Sequence, residues 1–198
     1  WPKSRERLMD AARAGFLSGA TDIVFHPGSY FERPPAEVLE KVLPRLEGCV
    51  QELRDEGNDV VLRPETMGKG AMLGSLEDTL AMSALEGVEP CLDFAHLHAR
   101  PGDGSMNSYE EWMKVFEAYA EALGPDSLER LHCHFSGIEY TEKGEQNHLV
   151  IEESDFDLEG WLKALQQAGV RGRLLCESPT LEEDALIVQE AWQDLVSG

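Results

Sequence analysis

Apolar runs of strand length alternate with amphipathic helices through the whole chain, with no linker and no low-complexity tract between them. Strand character is expected in TDIVFHPGS (21–29), NDVVLRPET (58–66), EPCLDFAHLHAR (89–100), LHCHFSGIEY (131–140) and RGRLLCES (171–178). Helical spacing is expected over 3–19, 34–57, 75–87, 108–124, 157–170 and 180–196. The second helix has Pro in its first turn and Gly57 at its end, and Pro44 inside it predicts a kink. Ser75 with Asp78 three residues on is close to a capping box, and Ser108 starts another helix. Residues 141–155, TEKGEQNHLVIEESD, read as a polar loop. Strand starts recur at roughly the length of a βα unit, which implies a parallel sheet covered by helices.

An open doubly wound sheet and a (β/α)8 barrel both satisfy that alternation. The polar residues favour the barrel. His26, Glu65, Asp93 with His96, His132 with His134, and Glu177 fall at or near the C-terminal ends of five successive strands. An open sheet gathers its ligands at one switch point, whereas a barrel brings every C-terminal end to one mouth. No GxGxxG or GxxxxGK[ST] follows a strand, and GKGAMLG lacks the nucleotide-loop pattern. The expected fold is thus an α/β TIM barrel forming a single domain over 1–198. Five strands fall short of eight, and the chain opens on Trp1 without Met, so the remaining strands are expected upstream. An incomplete barrel would leave strand edges open, which favours oligomerisation.

Composition bounds the partners. Hydrophobic residues make up 42% of 198, enough for a globular core. The net charge of −21, from 38 acids and 17 bases, suits a salt-adapted or generally acidic surface and argues against a broad nucleic-acid footprint. No apolar stretch reaches the roughly 18 residues of a membrane span, and the start has no signal-peptide pattern, so a cytoplasmic protein without membrane contact is expected. Cys49, Cys91, Cys133 and Cys176 have no CxxC spacing and are expected as buried thiols of a reducing compartment.

All six histidines (26, 96, 98, 132, 134, 148) are expected at strand ends or in the loop after the fourth strand, and none on a helix. With Glu65, Asp93 and Glu177 they form a donor set of imidazole and carboxylate, suited to Zn²⁺ or Mn²⁺. His132 and His134, two apart, share one face of a strand. His98, beside Arg100, is expected at the surface or facing a substrate.

The runs HPGSY, ETMGKGAMLGS, CLDFAH, HCHFS and CESP, in this order, resemble the endonuclease IV family of abasic-site endonucleases, within the xylose-isomerase-like TIM-barrel superfamily. The flavour of GIEYTEKGEQNHLVIEESDF and LLCESPTLEEDAL is similar to archaeal members. The resemblance implies two or three zinc ions, with Mn²⁺ or Mg²⁺ as alternatives, and hydrolysis of DNA 5′ to abasic sites by metal-activated water. It implies His26 on one metal, Glu65 bridging two, Asp93, His132 and Glu177 completing the second, and His96 and His148 on a third, with Glu65, Asp93 and Glu177 catalytic. The family places an Asp-x-His at the third metal; GEQNHL departs from it, offering His148 with Glu145 or Gln146 nearby. Lys69, Arg63, Arg100 and His134 are expected to contact substrate. Two other readings stand beside this one. The first is a sugar isomerase or epimerase of the same superfamily, with one divalent metal, a small sugar as partner, and Glu65 or Glu177 moving the proton. The second is an inactive barrel used as a binding module.

Overall fold

The computed structural model describes residues 1–197. The chain divides into two compact units: residues 1–65 with 71–91, and residues 66–70 with 92 onward.

The first unit contains α1 (Pro2–Leu17), β1 (Asp22–Phe25), α2 (Pro35–Asp55), β2 (Val61–Pro64) and α3 (Leu76–Met82). β1 and β2 pair in parallel from Asp22↔Val61 to Phe25↔Pro64. Parallel bridges Leu62↔Val88 and Glu65↔Cys91 carry the pairing onward. The apolar face of α2 puts Leu46, Cys49, Val50 and Leu53 against Met9, Ala12, Leu62 and Met82. The helix runs on through Pro44. The capping box forms: the Ser75 hydroxyl accepts from the Asp78 amide, and the Asp78 carboxylate accepts from the Ser75 amide. Arg63 is buried, and its guanidinium is held by Asp22, Glu89 and the carbonyl of Pro90. That network joins β1, β2 and the entry to the next strand by charge-assisted bonds.

The second unit follows from β3 (Cys91–Asp93) through α4 (Phe94–Ala99), α5 (Tyr109–Leu123), β4 (Leu131–Phe135), β5 (Gly137–Thr141), β6 (Gly144–Leu149), α6 (Leu158–Gln167), β7 (Gly172–Cys176) and α7 (Glu182–Ser197). Its main sheet has the order β3-β4-β7, with β4 and β7 parallel from Leu131↔Gly172 to Phe135↔Cys176. Its core is aromatic: Phe135 stacks on Trp161, while Phe94, Trp112, Phe116 and Phe156 close round them edge-on or tilted.

Three expectations change. The third strand is much shorter than 89–100, because Asp93 ends it by capping a helix; the amide of His96 donates to Asp93 Oδ1 at 2.7 Å. His96 and His98 therefore lie on α4, not on a strand. The run 131–140 is two strands, and the polar stretch after it folds back as β6 to make an antiparallel hairpin with β5. Among the described residues no helix is long and apolar enough to cross a membrane.

Candidate metal centre

In the first unit, His26 follows β1 and Glu65 follows β2, so parallel pairing sets them side by side. The Glu65 amide donates to the carbonyl of Phe25, and His26 Nε2 lies 3.0 Å from Glu65 Oε2. The His26 ring is open to solvent and the Glu65 side chain is almost wholly buried.

The second unit gathers two His–carboxylate groups. In one, Asp93, His134 and Glu177 each place a potential ligand atom within 4.8 Å of the others. His134 Nδ1 lies 3.2 Å from Glu177 Oε1. Asp93 is fully buried and is fixed on both sides of its backbone. Its amide donates to Thr66 Oγ1 and its carbonyl accepts from the same hydroxyl. The imidazole grouped with Asp93 and Glu177 is His134, which was expected to contact substrate. The spacing of two does put His132 and His134 on one face, with ring centroids 5.5 Å apart, but His132 sits one step back along β4 and is buried.

The other group is His96, Glu145 and His148, again within 4.8 Å of one another. Its electrostatics are informative. His96 Nδ1 lies 2.9 Å from the Thr66 carbonyl, and His148 Nδ1 lies 3.0 Å from the Glu177 carbonyl. A carbonyl only accepts, so each Nδ1 carries a proton, and Nε2 is the atom each neutral ring would offer a cation. His96 Nε2 faces Glu145 Oε2 at 3.6 Å. This is the orientation of metal-binding histidines, whose far nitrogen is tied to a carbonyl. The donor set of imidazoles and carboxylates without thiolate fits a divalent zinc-like or manganese-like cation.

The remaining residues have other roles. Arg63, expected to hold phosphate, is buried among its own partners in the first unit. Arg100 donates to the carbonyls of Met67 and Lys69, each at 2.8 Å, and so holds the loop 66–70. Lys69 is exposed on that loop. His98, expected at the surface, is fully buried; its Nδ1 meets the Met106 carbonyl and its Nε2 meets Asp155 Oδ1. Sequence reasoning ranked Glu145 no higher than Gln146 and passed over Thr66. The signal for Thr66 was only its place next to Glu65.

A sequence pattern described as "Xylose isomerase-like TIM barrel" matches residues 1–195. The chain belongs to this family. Xylose isomerase-like barrels account for what the strands display, because a TIM barrel builds its site from residues at the C-terminal ends of its strands. Three similar proteins illustrate the range. An uncharacterized protein of Methanocaldococcus jannaschii is 35% identical over 174 residues, which is 88% of this chain and 63% of that protein. The crystal structure of endonuclease IV from Thermus thermophilus superposes with a TM-score of 0.67 at 25% identity, covering 98% of this chain and 69% of that one. A D-tagatose 3-epimerase-like protein superposes with a TM-score of 0.66 at 18% identity, covering 99% and 69%. The chain spans a little under two thirds of its Methanocaldococcus relative's length.

Proposed function

We propose that this xylose isomerase-like barrel is a metal-dependent phosphodiesterase that cleaves DNA on the 5′ side of abasic sites. The observation that carries this reading is the pair of separate His–carboxylate groups in the second unit, Asp93–His134–Glu177 and His96–Glu145–His148. One cation needs one such group; two groups suit chemistry that stabilises both the attacking and the leaving oxygen. These residues would hold divalent cations, whose chemistry there would be to lower the pKa of a water for attack at phosphorus and to offset charge on the departing oxygen.

The chain's own residues hold and orient. Thr66 fixes the Asp93 backbone, and the α4 cap orients its carboxylate. The Thr66 and Glu177 carbonyls keep His96 and His148 in the tautomer that binds through Nε2. Glu65 and His26, side by side in the first unit, are proposed as further ligands. His132, behind His134, is proposed to support that ring, and Lys69 to hold a phosphate. Arg100 positions Lys69's loop, and Arg63 is assigned no substrate contact. Similarity to a solved endonuclease IV supports the choice of substrate class.

Elemental analysis of protein purified without added metal, followed by cleavage of a duplex with one abasic-site analogue, tests this. Two or more zinc equivalents and a single cut 5′ to the lesion, both reduced in Asp93→Asn, are expected.

A second reading, a sugar isomerase or epimerase using one Mn²⁺ or Mg²⁺, is favoured by the net charge of −21, since a neutral sugar needs no basic groove. There Glu65 or Glu177 would move the proton. One metal equivalent with turnover of a ketose and no cut DNA would select it.

A further inference from the structure

In a regular strand, residues three apart point to opposite faces. Glu145 and His148 are three apart on β6, yet both reach the group that includes His96. The hairpin register explains this. Tyr140 pairs with Glu145 and Ile138 with His148, while Glu139 pairs with Asn147, so Gln146 has no opposite number. It is the extra residue of a β-bulge, which resets the alternation by one position. Glu145 and His148 thereby join Tyr140 and Ile138 on the face turned to α4, where Ile138 packs on Ala95 and Ala99.

A second feature sets how close Glu145 comes. Its amide donates to the Gly68 carbonyl at 2.9 Å. A Cβ at Gly68 would stand 2.7 Å from Glu145 Cβ, 2.9 Å from its Oε2 and 3.1 Å from His96 Cδ2. Two of the three ligands therefore occupy the space a side chain at 68 would need. Arg100 grips the carbonyls of Met67 and Lys69 on either side, so the loop cannot easily move away.

We propose that Gly68 and the bulge at Gln146 are positioning elements that make Glu145 the carboxylate ligand of the His96–His148 cation site. This rests on the metal-dependent reading above. Removing Gln146 would convert Glu-Gln-Asn-His into Glu-Asn-His, whose spacing of two needs no bulge to keep both side chains on one face.

Zinc titration of the metal-free protein by calorimetry, with apo melting temperatures measured alongside, tests it. Glu145→Gln and Gly68→Ala should each weaken one equivalent by about 10- to 100-fold, the range seen when metal-site support is lost. The equivalent lost in Asp93→Asn should be unaffected in both. Protein lacking Gln146 should keep wild-type stoichiometry. Unchanged zinc binding in Glu145→Gln and Gly68→Ala would overturn this inference and leave the metal-dependent reading standing. No uptake by the wild type would overturn both. Loss of the equivalent on removing Gln146 would overturn the role given to the bulge. Should Gly68→Ala fail to fold, Glu145→Gln, which keeps the side chain's shape, decides the matter alone.

Discussion

His148 Nδ1–H donates to the backbone carbonyl of Glu177, 3.0 Å away, so a ring of the hairpin is oriented by the chain just beyond β7. His96 does the same with the carbonyl of Thr66 at 2.9 Å. Both rings are expected to carry a proton on Nδ1 in metal-free protein. Two-bond ¹H–¹⁵N correlation spectra read this directly. An unprotonated Nδ1 in both would contradict the geometry.

Asp93 has two separable tasks. One oxygen caps α4 through the His96 amide, and the side chain also belongs to the group with His134 and Glu177. Asparagine is a good N-cap, so Asp93→Asn is expected to melt close to the wild type in the absence of metal while losing zinc affinity. Asp93→Ala loses the cap as well and is expected to cost about 1 kcal/mol more in stability. Thermal melts of the two metal-free variants distinguish the tasks.

Asp155 accepts from His98 Nε2 at 2.8 Å and from the Tyr140 hydroxyl at 2.7 Å. Burial pushes its carboxyl up, but the hydrogen bonds from His98 and Tyr140 outweigh that and leave it below the ordinary carboxylate value. The bond to Asp155 raises Tyr140 from 10.0 to about 12. The signs follow from linkage. The Asp155 contribution is present above the ordinary carboxylate pKa and is lost as acid takes the pH below about 4. The Tyr140 contribution is present below pH 10.0 and is lost between there and about 12. Urea midpoints against pH are expected to fall at both ends. Asp155→Asn should flatten the acid limb and Tyr140→Phe the alkaline one.

Phe135 lies on Trp161 with ring centroids 4.7 Å apart and planes 13° from parallel, at the centre of the aromatic core. Trp161→Ala is expected to destabilise the protein by about 3–5 kcal/mol, the usual cost of emptying such a site. Urea denaturation measures it, and a loss below about 1 kcal/mol would mean the core closes over the gap.

β7 pairs with β4, and among the described residues it has no second strand partner. Leu174 and Leu175 on it are 41% and 39% exposed. An open, apolar strand edge favours self-association. Leu175→Lys is expected to lower the sedimentation-average mass at high concentration if copies meet along this strand, and to leave it unchanged if they do not.

Much of this was legible in the residues. The alternation of apolar runs and amphipathic helices located every helix of more than six residues to within a few positions. It also located five strands, because period and strand length are local signals. The strand-end positions of His26, Glu65, Asp93 and Glu177 were legible for the same reason. The hairpin was not, since its turn at Glu142 and Lys143 carries no Asn-Gly or Asp-Gly, and polar side chains on the outer face disguised the strand as a loop. Grouping His134 with Asp93 and Glu177 needed the strand's end point. Choosing Glu145 over Gln146 needed the bulge, which exists only once β5 and β6 are paired.

The second unit is not a continuous stretch of chain. Its residues 66–70 are entered from Glu65 and left at Ala71, both in the first unit. Yet this short excursion supplies the hydroxyl that holds Asp93, the carbonyl that fixes His96 and the carbonyls that engage Arg100. A fragment starting at Leu92 would therefore carry most of the candidate ligands while leaving Asp93, His96 and Arg100 unanchored. The unit cannot be excised at a single cut. A gene fragment encoding 92–198 should regain cation binding only when the missing loop is returned, as in complementation with a fragment spanning 1–91.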